Sequence, residues 1–355
     1  MKMNNNLIKC IVLFFSVFVL IGCGQTGPDG TDAPDVTPVM DEDFVENETF
    51  TTQIYVNFAD NGVVVSEDAE ITVTKNGNNI DIKSPKKNVE YILSGETENG
   101  SVRIYSDYKF KLLLNGVNIK SKGMPALNIQ SSKRAYIVLG DGTENILTDS
   151  EGYLYDKDAG DPLEGPTADG EDKKGCFFSE GQLVFSGKGT LKINGKNKHA
   201  IACDEYIRVR EGNIIVNETA DDGINVKEYY LQDGGNVSIK NNDGKGIKVR
   251  EGFFTMNAGK LSIFTHNDGV YLSYGNDEDE TDAAINSDFT MKDGEIKIIC
   301  YKQKNTAYGI KTNGIAHLVG GSLNIDIYDE SQAILSKDIL LYATSLTISS
   351  IEELW

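Results

Sequence analysis

The chain has 355 residues, with 54 Asp and Glu against 34 Lys and Arg and a formal net charge of −20. That balance argues against nucleic acid as a partner, because phosphates need a basic surface. Thirty-six Gly and only seven Pro suit many tight turns between continuous strands, in a chain long enough to bury a solenoid core.

The first residues read as an address. Lys2 and Lys9 form a basic start, and Ile11 to Ile21 is an apolar run too short to span a bilayer as a mature helix. The tetrad Leu20-Ile21-Gly22-Cys23 resembles a bacterial lipobox. It implies a signal peptide over 1–22, lipidation of Cys23, and a place in the cell envelope, outside the cytoplasm, held to a membrane by the lipid alone. Residues 23–48 are rich in Gly, Pro, Asp and Thr with little to bury; the expectation is a disordered tether. A folded domain over 49–355 follows. Its first strands, at Ile54–Val56, Val63–Val65 and Ile71–Val73, are placed to cap an open sheet edge.

The organising signal runs from Ala200 to Asp268. Three successive 23-residue pieces each open on a small residue (Ala200, Gly223, Gly246) followed by Ile201, Ile224 or Ile247. Later in each piece a glycine turn precedes alternating apolar residues: Ile214 and Val216, Val237 and Ile239, Leu261 and Ile263. A fixed period of this length marks a solenoid, and alternation with period two marks strands. Stepping the register outward gives Phe178, Leu127 and Ile104 upstream, and Val270, Ile310 and Ile334 downstream. Two insertions break it: one contains the polar run 150–174, the other is Tyr274–Asp282, with a restart at Ala284-Ile285. The fold expected is an all-β, right-handed, single-stranded parallel β-helix of roughly ten coils.

Stacking at this period aligns columns of side chains about 4.8 Å apart. One column holds Glu205, Glu228 and Glu251, and its neighbour holds Asp204, Lys227 and Arg250. Unit charges at that distance repel by about 1 kcal/mol in water and several at an effective dielectric near 20. Three readings stay open: calcium bound by these carboxylates with Asp221, Asp222, Asp243 and Asp268 from nearby turns; a ladder of salt bridges; or solvated turns. Asp141, Glu144 and Asp149 form a second calcium candidate, against a polar turn held by Asn145 and Thr148. One residue after each core aliphatic come Asn225, Lys248, Tyr271 and Lys311, and three after come Lys227 and Arg250. Such a basic row suits an extended acidic polymer, whose carboxylates pair with Lys and Arg; the alternative is a balanced solvated strand. Tyr206 and Tyr229 form a short column suited to stacking on sugars, or to packing at a corner.

Cysteine and histidine add little. Cys203 falls in an inward column, and Cys176, Cys203 and Cys300 match neither a disulfide framework nor a zinc site. His199, His266 and His317 share no column, and no phosphate loop, nucleophile elbow or dinucleotide fingerprint occurs.

The order Val89–Gly95 (VEYILSG), Lys111–Ile119 (KLLLNGVNI), Ala126–Ile129 (ALNI) and Gly142–Asp149 (GTENILTD) resembles a bacterial family of secreted carbohydrate-binding β-helix proteins known from cellulolytic clostridia. The resemblance covers about residues 70–345. It implies a fold similar to pectate lyases, bound Ca²⁺, and binding of acidic uronan or cellulosic plant polysaccharide without catalysis. The family's coils often carry a Lys-Asp-Asp turn. Here those positions read Cys203-Asp204-Glu205, Val226-Lys227-Glu228 and Val249-Arg250-Glu251, leaving one acid instead of two in the latter coils. Two alternatives accompany this reading. One is a calcium-dependent polysaccharide lyase with Arg208, Arg210 or Arg250 as base; the other is a surface adhesin for a protein partner.

Overall fold

A computed structural model describes residues 41–153, 171–241, 243–273, 286–301, 306–328 and 331–351. Cys23, the signal peptide 1–22, the tether up to residue 40, Asp282 and the restart at Ala284-Ile285 lie outside the described residues. The chain folds as a parallel β-solenoid of about ten turns, with no α-helix among the described residues.

Each coil feeds one strand into each of three ladders. The front ladder has eleven strands, from Thr72–Asn76 at one end to Gln332–Leu335 at the other. A second runs from Ala135–Leu139 to Asp338–Leu341, and a third from Glu144–Thr148 to Ser345–Ile351. The long strand Phe110–Lys120 joins the last two: its start pairs with Ala135–Leu139 and its end with Glu144–Thr148. The first coil is covered by antiparallel hairpins, Thr52–Ala59 with Gly62–Val65 and Thr72–Asn76 with Asn78–Ser84. These are the expected cap, since an antiparallel partner satisfies an edge that would otherwise recruit other chains.

Ile201, Ile224, Ile247 and Val270 pair in one row as expected, and Ile310 and Ile334 continue it. Upstream the expected register slips. Ile201 pairs with Phe177, not Phe178, and Leu127 pairs with Val102, not Ile104. The coils there are longer than 23 residues, and the added residues sit in turns, which hydrophobic period does not count. The free thiols of Cys176, Cys203 and Cys300 are buried, which for Cys203 matches the inward column expected.

The two motifs of the middle coils explain each other. Asn145, fully buried, accepts at Oδ1 from the N–H groups of Gly116 (2.8 Å) and Val117 (3.0 Å) and donates to the Thr190 carbonyl (3.1 Å). Gly116 has φ +73°, a left-handed bend that glycine adopts without strain. GTEN therefore pins the bend in LNGV one coil away. Thr148 accepts from Asn194 (2.8 Å), so Asn145 and Thr148, both on the strand Glu144–Thr148, tie neighbouring coils together.

Residues 41–48 differ from the expected tether. Two short 3₁₀ turns, Asp41–Asp43 and Val45–Asn47, lie on the solenoid, and Asp43 is buried. Their composition has little apolar content, but charge pairing with the body supplies what burial does not.

Like residues stack with like inside. The rings of Tyr230, Phe254 and Phe289 are near-parallel at 5.2 and 4.8 Å between centroids, a geometry that adds to their burial energy. Phe254→Ala opens a cavity in this column. The expected loss is about 3–5 kcal/mol, read by urea denaturation; a loss below about 1 kcal/mol would show the column is not packed as described.

Candidate functional site

Strands of the front ladder are short, and their central residue points outward between two buried neighbours. The in-register pairing stacks these outward residues into one row: Asn225, Lys248, Tyr271 and Lys311 follow one another. The row was expected. Its two halves differ in a way the sequence did not announce.

Upstream of Asn225 the face is sealed. Arg103 is held by Asp81 (2.8 Å) and by Glu171 (2.8 Å), whose other oxygen accepts from the Tyr105 hydroxyl (2.6 Å). Gln130 donates to the Asp172 carbonyl (2.9 Å), and Lys174 pairs with Asp172 (2.7 Å) and Asp204 while lying over the Phe178 ring. The end of the first insertion thus lies on this half. Asn225 itself is buried and donates to Asp222 (2.8 Å), so it is withdrawn from the proposed contact surface.

Downstream the outward residues have different partners. Lys311 lies 5.0 Å from the Tyr271 ring centroid and 5.3 Å from that of Tyr308, and Lys245 lies 5.2 Å from Tyr271. Among the described residues Lys245, Lys248 and Lys311 have no carboxylate in ion-pair contact. Lys245 and Tyr308 were missed by sequence reasoning. Both stand two residues ahead of a core aliphatic (Ile247, Ile310), in a column that also holds His199, Asp222 and Asp268. That column is tied together by backbone donors: Asp222 N–H to His199 Nδ1 (3.1 Å), Lys245 N–H to Asp222 (3.0 Å) and Tyr308 N–H to Asp268 (2.9 Å). Burial holds the His199 pKa below its ordinary value, outweighing the attraction of Asp222 and Asp221.

The column of Asp204, Lys227 and Arg250 forms salt bridges. Arg250 reaches Asp204 at 2.6 Å, and Lys227 lies 3.7 Å from Glu251. Burial raises the pKa of Glu205 and of Glu228, and Glu228 and Glu251 respectively add to it by like-charge repulsion.

The carboxylates expected to hold Ca²⁺ do not converge as a set. Lys192 pairs with Glu144 at 2.7 Å, Asp149 is buried and accepts from Tyr153 and the Lys196 N–H, and Asp141 and Asp243 stand on turns. Among the described residues two groups bring three ligand atoms together: His199 with Asp221 and Asp222, and Asp172 with Glu180 and Asp204. The first contains a nitrogen whose lone pair already accepts a backbone N–H, which suits Ca²⁺ poorly. The second is all oxygen, but the Lys174 ammonium sits between Asp172 and Asp204 where a cation would lie. The glutamate column is neither group.

Tyr206 and Tyr229 do stack, at 4.5 Å and 8°, and Phe253 extends the stack at 4.9 Å. Tyr206 is buried beneath residues 41–48, and its hydroxyl donates to Asp43 (2.6 Å). It packs at a corner and offers no free ring face.

A family model described as a carbohydrate-binding domain-containing protein matches residues 52–351. A curated relative from Acetivibrio thermocellus, also described as a carbohydrate-binding domain-containing protein, is 30% identical over 222 residues, 59% of this chain and 65% of its own length. The match therefore spans less than two thirds of that relative. A solved structure of a polysaccharide lyase-like protein from C. thermocellum, a gadolinium derivative, superposes with a TM-score of 0.55 at 18% identity, covering 84% of this chain and 100% of its own. At that identity the likeness shows the fold alone.

Burial raises the Asp149 carboxyl to about 6, against the lowering effect of its bonds from Tyr153 and backbone N–H groups. The folded state then binds more protons than the unfolded state between the ordinary value and about 6, so this group's contribution to stability falls as pH rises through that window. Carboxyl NMR should find Asp149 titrating near 6 with or without added calcium; a calcium-induced drop would make it a metal ligand.

Proposed function

The chain belongs to the carbohydrate-binding domain family, and we propose that it binds acidic polysaccharide along the downstream half of the front ladder. The observation that carries this reading is that Lys245 and Lys311 lie over the Tyr271 and Tyr308 rings and Lys248 pairs beside Tyr271, none in ion-pair contact with a carboxylate among the described residues, in a chain of net charge −20. A uronate offers what such a surface lacks, a carboxylate for each ammonium and a ring for the tyrosine faces. One exposed pair is worth about 0–1 kcal/mol, so affinity comes from many units of one polymer engaged together. Salt screens these pairs, and binding should weaken as ionic strength rises.

Binding without cleavage fits the arginines better than a lyase does. A base must give up its proton. Arg208 is paired with Asp43 and Asp233, Arg210 with Glu46, and Arg250 with Asp204. Burial pulls the Arg208 pKa down, but hydrogen bonds to Asp43 and Asp233 outweigh it and leave the value raised. Calcium enters this proposal at Asp172, Glu180 and Asp204 alone, with Lys174 displaced; no binding step depends on it.

Lys248→Ala with Lys311→Ala should lower retention of polygalacturonate at low salt by at least about tenfold, with circular dichroism unchanged. Arg250 is left in place because it braces Asp204. Ultraviolet absorbance of the same samples should stay flat. Absorbance growing with time would replace the binding reading with the lyase. Absence of binding across acidic and neutral plant polymers would favour the adhesin.

We further propose that Cys23 carries the lipid that places this face outside the cell. Metabolic lipid labelling of the expressed chain should be lost in Cys23→Ser; labelling that persists would remove the anchor from this account.

A further inference from the structure

Around the corner from the front ladder, residues 42–48 lie in a cleft of opposite charge. The buried Asp43 carboxylate meets Arg134 Nε (2.8 Å) and accepts from the Tyr206 hydroxyl (2.6 Å) through Oδ1, and meets Arg208 Nη1 (3.0 Å) through Oδ2. Glu46 forms a two-pronged pair with Arg210, at 2.6 and 2.7 Å. Beside this pocket the rings of Tyr206, Tyr229 and Phe253 stack face to face, and Tyr229 and Phe253 remain half-buried.

The segment fills this pocket but does not build it. Arg208 is aimed from the body side by Asp233 (2.6 Å), which Asn257 holds in turn (2.7 Å). Arg134 donates to the Tyr206 hydroxyl (3.0 Å). Among the described residues, the carboxylates in contact with Arg134 and Arg210 all belong to Glu42, Asp43 and Glu46. With the segment gone, Arg134 and Arg210 would lose these carboxylates while Arg208 kept Asp233. The guanidinium fork so freed matches an incoming carboxylate.

We infer that this cleft is a second acidic-ligand site, which the chain's own acidic segment covers and a uronate occupies when the segment leaves. The pocket holds a carboxylate against two guanidiniums and a phenol, next to the half-buried aromatic side chains of Tyr229 and Phe253. A uronic acid carries the same two chemistries, a carboxylate and a ring with an apolar face. The inference takes its ligand class from the proposed function, but uses different residues on a different ladder. In the intact chain the tethered segment competes at high effective concentration, so the site shows itself when the segment is weakened.

The test uses the full chain with Glu42→Gln, Asp43→Asn and Glu46→Gln, and trigalacturonate as probe in calorimetry. This released variant should bind at least about tenfold more tightly than the unaltered protein. Adding Arg134→Gln with Arg208→Gln should abolish the gain. The ratio should persist in a chain whose Lys248 and Lys311 are both alanine, which separates this site from the front ladder. Equal affinity of released and unaltered chains would overturn the inference, as would a gain that survives loss of both arginines. If the released variant does not fold, hydrogen exchange of the unaltered protein decides. Saturating trigalacturonate should speed exchange of the amides of residues 42–48, and unchanged exchange would overturn the site.

Discussion

The structure depends on parallel, in-register stacking of coils. Each backbone pairs with the coil before and after it, so every side chain has a counterpart about 4.8 Å away along the axis. Inside, that rule favours repetition: Ile201, Ile224 and Ile247 fill one row, and Tyr230, Phe254 and Phe289 stack in another. Outside, it penalises repetition of charge. Where acids and bases share a column they are drawn into contact, as Arg250 is to Asp204 across an intervening coil. Where glutamates alone share one, burial raises their pKa values and like-charge repulsion adds to it.

The proposed contact face is defined by what the stacking leaves uncompensated. Upstream, residues 171–174 return onto the front ladder and neutralise Arg103 and Asp204. Downstream, lysines meet tyrosine rings in place of carboxylates. An acidic protein thus keeps a local basic strip, and the low charge density of the strip sets the expectation of a polymeric rather than a small ligand.

Much of this could be read from the chain. Three coils of equal length made the row Ile201–Val270 visible and, with it, the outward row Lys248–Tyr271–Lys311. Phase was lost where turns lengthened, which is why Phe178 stood in for Phe177 and Ile104 for Val102. The column His199, Asp222, Lys245, Asp268 and Tyr308 was open to reading at a fixed offset of two residues before each aliphatic, an offset at which a strand bends and parity stops predicting direction. Residues 41–48 carried no such signal. Asp43 and Tyr206 are 163 positions apart, and no periodicity links a low-complexity acidic stretch to a groove made by later coils. For the carboxylates proposed as calcium ligands, sequence spacing fixes a column but not which protein donor reaches each oxygen first.

The placement of residues 41–48 also sets a load path. Any pull applied from the amino-terminal side reaches the solenoid through this segment before it reaches a coil. Its attachments are side-chain ion pairs and rings laid across the surface, so a lateral force peels them in sequence, Asp43 and Arg208 ahead of Glu46 and Arg210. The first coil resists differently, because the hydrogen bonds from Thr52–Ala59 to Val89–Thr97 run side by side and share the force. The segment is therefore a mechanical fuse in series with a stiff rod, yielding while the rod keeps its shape.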